Sequence, residues 1–565
     1  MTEQPDAPDL PVEALSSSAV PPLKGRWLAM VFISLGVSMI MVDASVINVA
    51  LPTIIRDIGL TATEAEWANS IYPLVFAALL ITFGRTGDRF GRRRLFMLGA
   101  VVFIVASILV ALSGSGTELI SARVLQGVGG ALMLPTSLAL VNATFTGKDR
   151  AMAFGLWGAT IGATAAIGPL LGGWLTTYYS WQWAFYINVP IGIVLLVGTW
   201  FVVQESKEVD PETGVDLAGI ALSALGLGLL VFALIEGQAY GWWTATEDAA
   251  LGPWQISAGG LSPVPVAFAL SALLLGSFLL VEQRRARAGR IVLLDLSLFG
   301  IRSFGWGNIV ALIVAFGEFG LVFALPLFLQ STLGLSAVAT GGLVATIAVG
   351  VFFSGPTAGI LAARMGSRLV VRLGMLLEVV GMVMVAVVVS PTVSWWALVP
   401  GLLIYGAGVG FASAQLTNVL LQDIPVDKSG QASGAQSTTR QVGSALGVAV
   451  MGAILVTSLG AITSSNLQEV PGIPPAVVAQ VSDVVATSAG QAIPALPEAL
   501  AGTPAEPYTA QIVAAAGTAM ADATQRTALA AAFFVLVGLL VTYRLPNDLH
   551  ARRRDEEIAA ERAAA

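Results

Sequence analysis

Cysteine is absent from this sequence of 565 residues, and histidine occurs once, at His550. The chain therefore has no disulfide framework and no thiolate metal site, and most metalloenzyme and histidine-dependent hydrolase arrangements are excluded. The Gly-x-x-x-x-Gly-Lys-Ser/Thr loop that cradles nucleotide phosphates is also missing, which excludes ATP hydrolysis by that route. We expect no catalytic residues, no metal and no cofactor, and the proton-motive force is the remaining source of energy.

Charge is scarce as well. Only 11% of the residues are charged and 56% are hydrophobic, whereas an ordinary soluble domain has roughly 25% charged residues. The apolar runs are continuous and not alternating, which favours membrane-spanning helices of about 20 residues over the strands of a barrel. We predict an all-α polytopic membrane protein with 14 spans, at about 27–51, 66–84, 95–113, 118–140, 152–175, 184–203, 215–236, 264–282, 303–330, 338–362, 369–389, 395–421, 432–459 and 525–543.

The positive charges predict the orientation, because lysine and arginine collect in cytoplasmic loops. Here they follow the even-numbered spans, as the arginines at 85–94 after the second span and at 284–290 after the eighth illustrate. Both termini are therefore expected to be cytoplasmic. The first 25 residues are polar and Pro-rich without an apolar core, so the first span is expected to be a retained helix. We expect a multi-pass protein of a bacterial inner membrane.

The spans group into two halves. The cytoplasmic turn at residues 84–93 has an echo at 359–368, and such a parallel repeat is the plan of a large class of transporters. The predicted organisation is a disordered cytoplasmic tail at 1–25, a six-helix half at 26–204, two additional helices at 205–292, a second six-helix half at 293–545 and a charged cytoplasmic tail at 546–565. An extracytoplasmic loop is expected at 460–524, with short helices in segments such as Pro475 to Ala489.

Four groups of residues carry recognisable motifs. The first span contains Asp43 and Ser45, and the cytoplasmic turn contains Gly84, Asp88, Arg89, Gly91 and Arg92. The fourth span contains Arg123, Gln126 and Gly127, and the fifth contains Gly158, Gly162, Gly168, Pro169, Gly172 and Gly173. In this order they resemble the motifs of the major facilitator superfamily, and within it the fourteen-helix drug:proton antiporters of the EmrB/QacA type. The resemblance covers nearly the whole chain, and the sequence departs from it at Ser45, Thr86 and Thr164.

The resemblance implies a role for each motif. The charged residues of the turn would make contacts between the halves, and the glycines of the fifth span would favour export over uptake. Asp43 and Arg123 would couple proton binding to conformation, because a nearby arginine favours the charged form of a carboxylate. The residues alone leave plainer alternatives open: a positively charged loop, an Arg123 that snorkels to the interface, and small residues that only pack helices.

Carboxylates inside apolar spans are costly and mark functional candidates. Glu318 lies within a long apolar run and is, with Asp43, a candidate for proton binding or substrate recognition, although a structural, arginine-paired role stays open. Glu378 is a further candidate, with a pair to Arg372 as its alternative. Glu236 is interpreted as interfacial, and the aromatic residues at the span ends are interpreted as interface anchors, namely Trp181, Trp183, Trp242, Trp243, Trp395 and Trp396.

The leading functional hypothesis is a proton-coupled antiporter that exports drugs, antibiotics or other small amphipathic compounds, often cationic, by alternating access. One alternative is a dedicated exporter of a single endogenous metabolite or lipid, and another is a membrane sensor or scaffold that moves no solute. The expected partners are the substrate, protons and membrane lipids, with no nucleic acid. A periplasmic adaptor is left open.

Overall fold

The computed structural model describes residues 25–207, 214–237, 239–246, 248–251 and 254–546. The side chain of Pro169, named above in the fifth span, lies outside this description, as do both predicted tails apart from their inner ends. The helices are α1 Arg26–Ile58, α2 Ala62–Phe90, α3 Arg92–Leu112, α4 Gly116–Thr144, α5 Gly147–Tyr178, α6 Trp183–Tyr186, α7 Asn188–Val202, α8 Leu217–Glu236, α9 Pro263–Arg287, α10 Arg302–Ser331, α11 Ala337–Met365, α12 Ser367–Val388, α13 Val399–Leu421, α14 Ser429–Gln468, α15 Pro475–Thr487, α16 Leu496–Leu500 and α17 Thr509–Val541.

Thirteen helical segments in the described ranges are long and apolar enough to cross a membrane, and the predicted all-α polytopic architecture is confirmed. Helix α5 is not among the thirteen, although it has 32 residues and packs between α1 and α11. The count of fourteen spans therefore stays a prediction. The only strands in the described ranges form a small antiparallel hairpin between α8 and α9, with β1 at Ala249–Leu251 and β2 at Trp254–Ile256.

Local sequence explains where several helices begin and end. Helix α2 starts with a capping box, in which Thr61 Oγ1 accepts from Glu64 N at 3.2 Å and Glu64 Oε2 accepts from Thr61 N at 2.9 Å. The turns from α2 to α3 and from α11 to α12 each contain one glycine with positive φ, 109° at Gly91 and 86° at Gly366. Only glycine adopts this conformation without strain, so the sequence echo is also an echo of backbone conformation.

Helix packing repeats between the two halves of the chain. In the first half, α1 packs on α5, α2 on α4, and α3 on α4 and α7. In the second, α10 packs on α14, α11 on α13, and α12 on α13 and α17. Helices α8 and α9 pack on each other, and α8 lies along α2. The added pair is therefore attached to the first half through α2.

The two halves contact each other near the end of the bundle that carries residues 84–94, here called the motif end. A Cβ on Gly84 of α2 would lie within 3.0 Å of the α14 backbone, and one on Gly155 of α5 would lie 2.5 Å from the α11 backbone. Further from the motif end, Gly172 of α5 faces α1 and Gly447 of α14 faces α10, each in its own half. Helices α5 and α14 thus join the halves at the motif end and turn back to their own halves beyond it.

The segment predicted as the loop 460–524 is more helical than the sequence indicated. Helix α14 continues to Gln468, α15 occupies Pro475–Thr487 in the region where short helices were expected, and α17 already begins at Thr509. The physical reason lies in composition, because the alanines that lower hydropathy below that of a span are strong helix formers. Buried Val481, Val485 and Leu496 pack this segment onto the main core.

Candidate functional site

An ion pair between α1 and α4 lies at the centre of the first half. Arg123 Nη1 donates to Asp43 Oδ2 at 2.7 Å, and both side chains are almost completely inaccessible, at 1% and 0% of their surface. Gln126, one turn further along α4, donates from Nε2 to Asp43 Oδ1 at 2.9 Å and accepts from Arg123 Nη1 at 2.9 Å. The three motif residues therefore form one closed network, and Arg123 does not snorkel.

Two residues outside the motifs complete this network. Asn188 at the start of α7 donates to Asp43 Oδ1 at 3.1 Å, and Ser107 of α3 accepts from both Gln126 at 2.9 Å and Asn188 at 3.1 Å. The Tyr72 ring of α2 lies under the Arg123 guanidinium, 4.5 Å from ring centroid to Cζ, where a cation–π contact is favourable. Sequence reasoning missed Asn188 and Ser107, whose signal is a polar side chain in an otherwise apolar stretch.

The small residues of α4 and α5 bring their helices into close contact. A Cβ on Gly168 would overlap Ser45 of α1, and one on Gly172 would lie 3.2 Å from Val46. Gly127 of α4 approaches the Tyr72 carbonyl of α2, where a Cβ would be 3.0 Å away. These glycines hold α5 and α2 around the Asp43 site. Gly173, the residue after Gly172 in α5, is also buried. Toward the motif end, Gly158 and Gly162 of α5 instead face α13 and α11 of the other half.

Asp88 anchors the contact between the halves at the motif end. It accepts from Arg92 Nη2 at 2.7 Å and, across the interface, from the backbone N–H groups of Gly430 at 2.7 Å and Gln431 at 2.9 Å. These N–H groups belong to the first turn of α14, where the helix dipole favours a negative charge. Arg92 also donates to the Val426 carbonyl. Asp88 and Arg92 are fully buried, which a merely solvated basic loop would not require.

The rest of the motif turn is held by the segments that follow α7. Glu205 accepts from the N–H groups of Arg93 at 3.0 Å and Arg94 at 3.2 Å, at the start of α3, and Arg89 donates to the Gly214 carbonyl before α8. Gly91 has no room for a side chain, since a Cβ would lie 2.7 Å from the Glu205 carboxylate. The turn therefore has a fixed shape and connects the first half to the added helix pair.

A cavity of about 160 Å³ lies in the second half, closed on one side by α5. Glu318 of α10 reaches it and is held by Ser413, which donates to Oε1 at 2.9 Å, and by Arg440 of α14, whose Nη2 lies 3.5 Å from Oε2. The Tyr405 hydroxyl donates to the Glu318 carbonyl at 3.0 Å. The other walls are mainly apolar side chains of α5, α10, α11 and α13, among them Trp157, Ile161, Val344, Ile347 and Val351. Such a cavity suits an amphipathic ligand.

Sequence reasoning missed Arg440, the residue that pairs with Glu318. Its signal was a single arginine within the apolar run of the predicted span 432–459.

Glu378 of α12 is fully buried, and neither of its carboxyl oxygens has a hydrogen-bond partner in the described part of the chain. Arg372 does not pair with it, because its Nε donates to Thr542 at 3.1 Å. That pairing was therefore wrong.

Two residues expected at the membrane interface are buried instead. Glu236 has 1% of its surface exposed, since α2 covers the last turn of α8, and Trp181 has 2% exposed. The Trp181 indole donates to Asp57 at the end of α1 at 2.7 Å. A hydropathy pattern cannot distinguish a lipid-facing helix end from one covered by a neighbouring helix. Trp183 and Trp396 are exposed as expected.

Long apolar helices packed in two halves, with buried charge networks inside them and a small apolar cavity, define a multi-pass membrane transporter. The model of the Major Facilitator Superfamily matches residues 33–448, so the chain belongs to that superfamily and the resemblance seen in the motifs is confirmed. Among the described residues no cluster of His, Cys, Asp or Glu could hold a metal ion.

Curated relatives carry names of resistance and export proteins. The chain is 30% identical to the tetracenomycin C resistance and export protein of Streptomyces glaucescens, over 91% of this chain and 92% of the relative. It is 32% identical to a probable actinorhodin transporter of Streptomyces coelicolor, over 83% and 80%, and 31% identical to the multidrug resistance protein Stp of Mycobacterium tuberculosis, over 78% of each. The fold is similar to the crystal structure of the human organic anion transporter MFSD10, with a TM-score of 0.54 and 14% identity over 92% of this chain and 99% of that one.

Proposed function

We propose that this protein is a proton-coupled antiporter that exports drugs, antibiotics or other small amphipathic compounds across a bacterial inner membrane. The observation that carries the proposal is the fully buried pair of Asp43 and Arg123. A buried ion pair is often no more stable than apolar residues of the same size, so packing alone gives little reason for it. Proton coupling gives a physical reason for the buried pair, because the carboxylate of Asp43 can take a proton while the arginine beside it cannot lose one.

The proposed coupling acts through the attraction between these two side chains. Protonation of Asp43 removes the charge that holds Arg123, and α4 is then free to shift relative to α1. Since α5 is packed on α1 by Gly168 and Gly172 and on the other half by Gly158, a shift of α1 reaches the interface between the halves. Each proton that enters supplies about 2.3 kcal/mol per 100 mV of membrane potential.

In this proposal the motif end is cytoplasmic, both termini are cytoplasmic, and the protein is closed to the cytoplasm. The two halves are residues 26–204 and 293–545, with the added pair at 205–292. Opening would separate Asp88 from the first turn of α14, where it now accepts from Gly430 and Gln431. Gly84 and Gly91 would permit the close approach and the tight turn that the closed state needs. The shift at Asp43 and the opening at Asp88 together constitute alternating access.

We assign substrate binding to the cavity at Glu318. A cationic group of the substrate would replace Arg440 as the partner of Glu318, and the apolar walls would contact the rest of the molecule. Glu378, which is buried without a hydrogen-bond partner in the described part of the chain, is the proposed proton site of this half. Its position in α12 behind α13, where a Cβ on Gly408 would lie 2.9 Å from its Cγ, keeps it outside the cavity.

A dedicated exporter of one compound is the second candidate. The observation that favours it is that two relatives are named for a single compound each, tetracenomycin C and actinorhodin. The small volume of the cavity, about 160 Å³, also fits a narrow substrate range in this conformation. A sensor or scaffold would not need Asp43, Arg123 and a cavity that contains a buried carboxylate together.

The test is efflux of ethidium from energised cells, with and without an uncoupler, beside Asp43→Asn and the control Asp483→Asn on the exposed face of α15. We expect efflux that the uncoupler stops, that Asp43→Asn abolishes and that Asp483→Asn leaves intact. Normal expression without ethidium efflux would favour the dedicated exporter. Efflux that survives both the uncoupler and Asp43→Asn would disprove the coupling mechanism.

A further inference from the structure

We propose that Glu66 of α2 and Glu236 of α8 form a further proton-binding site, in which one shared proton holds the end of α8 against α2. Glu66 lies in the second turn of α2, and Glu236 is the last residue of α8. Both are at the end of the bundle opposite the motif end. Neither residue belongs to the motifs, to the Asp43 network or to the cavity at Glu318, so the site is independent of the proposed export function.

The two carboxyl groups lie next to each other where α8 packs along α2. The Glu236 carboxyl lies within hydrogen-bonding range of Glu66 and of Ser70. Glu236 is 1% exposed, and its Oε1 has no hydrogen-bond partner in the described part of the chain. Two carboxylates this close repel each other strongly when both are ionised, and one shared proton turns the repulsion into a hydrogen bond.

In the described part of the chain no basic side chain forms an ion pair with either carboxyl group. None of the salt bridges found among the described residues involves Glu66 or Glu236. The neighbouring titratable group is the Tyr240 phenol, which follows α8, with the Trp67 indole beside it. From α9, Val264 and Ala267 pack in the same apolar cluster as Tyr240. A proton is therefore the compensating cation that this site takes.

The site is open to protons on one side only. Glu66 is partly exposed while Glu236 is buried, so a proton from the aqueous phase at this end reaches Glu236 through Glu66. Next to the pair, the Trp67 and Phe232 rings stack at 6.0 Å between centroids. The protonated pair keeps α8 on α2 at low pH, and loss of the proton at higher pH drives the two helix ends apart. Since α2 also contacts α14 across the interface, the pair acts on a helix that joins the halves.

The test uses purified protein and two measurements over a range of pH. The first is the infrared carbonyl band of protonated carboxylic acids, compared between wild type and Glu236→Gln. Glutamine keeps the size and the hydrogen-bonding capacity of a protonated glutamic acid, but it cannot lose a proton. We expect Glu236→Gln to remove one titrating band and Glu66→Gln to remove the same band. The control Glu498→Gln, exposed on α16, should leave that band unchanged.

The second measurement is disulfide formation between Ala78→Cys and Gly228→Cys, in a chain that has no cysteine of its own. A Cβ at 228 would lie 3.8 Å from that of Ala78, which is close to the mean of about 3.8 Å in disulfides. Because thiol reactivity itself changes with pH, the yield is divided by the yield in the Glu236→Gln background. We expect this ratio to fall as pH rises.

The two readouts separate the parts of the proposal. An unchanged infrared band in both glutamine variants would overturn the proton site. Loss of the band with a cross-linking ratio that stays constant with pH would overturn its role in holding α8 on α2. If one glutamine variant does not fold, the other still decides, because both carboxyl groups share the same proton.

Discussion

The buried pair of Asp43 and Arg123 allows a prediction about the cost of each single substitution. Asp43→Asn leaves a guanidinium that stays charged, since arginine keeps its proton in proteins. Removal of one partner of a buried ion pair costs about 3–5 kcal/mol. Arg123→Gln leaves a carboxyl group that can become neutral by taking a proton, so its cost is closer to that of an unsatisfied polar group, about 1–3 kcal/mol. We therefore expect Asp43→Asn to destabilise the protein more than Arg123→Gln.

The structure also fixes what remains in each variant. An asparagine at 43 can still accept from Gln126 or Asn188 through one oxygen, at the positions that now measure 2.9 Å and 3.1 Å. The hydrogen bonds to neutral groups are thus largely kept, and the loss is mainly the charge. In the double variant no charge is left alone, so its cost should be smaller than the sum of the two single costs by more than about 1 kcal/mol.

The assay is a double-mutant cycle with wild type, the two single variants and the double variant. The free energy of unfolding of each purified protein is measured over a range of denaturant concentrations, and ethidium efflux is measured for the same four proteins. Asp483→Asn serves as the control for loss of a carboxylate at an exposed site. Equal costs for the two single variants would refute the argument that Asp43 left alone becomes neutral whereas Arg123 left alone does not. A double variant whose cost equals the sum of the single costs would refute the argument that the two charges act as one unit.

Three further predictions follow from other parts of the structure. Gly84→Ala should impair transport by preventing the halves from closing, because its Cβ would lie within 3.0 Å of the α14 backbone. The control Gly276→Ala should transport normally, because nothing lies within 4 Å of the added Cβ. The comparison of the two efflux rates tests this prediction. Glu318→Gln should lose binding of cationic substrates while the protein still folds, which a direct binding titration with ethidium measures, and unchanged affinity would exclude Glu318 from the substrate site. Burial would raise the pKa of Asp295, but its contacts to Lys428, at 2.6 Å, and to Ser297 hold that pKa below its usual value. The pair should therefore contribute about 0.2–1 kcal/mol at neutral pH and lose it as pH falls below about 4. Asp295→Asn should be less stable than wild type at pH 7 and equal to it at low pH, and the opposite trend would contradict the assignment.

Much of the fold followed from local composition. Continuous apolar runs predict spanning helices because the backbone has to satisfy its own hydrogen bonds in lipid, and the bounds of α3 and α12 agree with the predicted spans 95–113 and 369–389 to within a few residues. Helix α17 was predicted too short, starting at 525 and not at Thr509. Its first turns are rich in alanine, which favours helix without raising hydropathy to that of a span.

The sequence by itself determined the spanning helices, the tight turns at Gly91 and Gly366, and which intramembrane charges need an explanation, because each of these depends on the chemistry of a short stretch of chain. Only the tertiary structure decided the partners of those charges. Asp43 and Arg123 are 80 residues apart and meet at 2.7 Å, Glu318 pairs with Arg440 and not with a nearer residue, and Glu236 is buried against Glu66 instead of lying at the interface. Such contacts depend on the rotation and distance of packed helices, which hydropathy does not encode, since any of several neighbours can cover the same face of a helix.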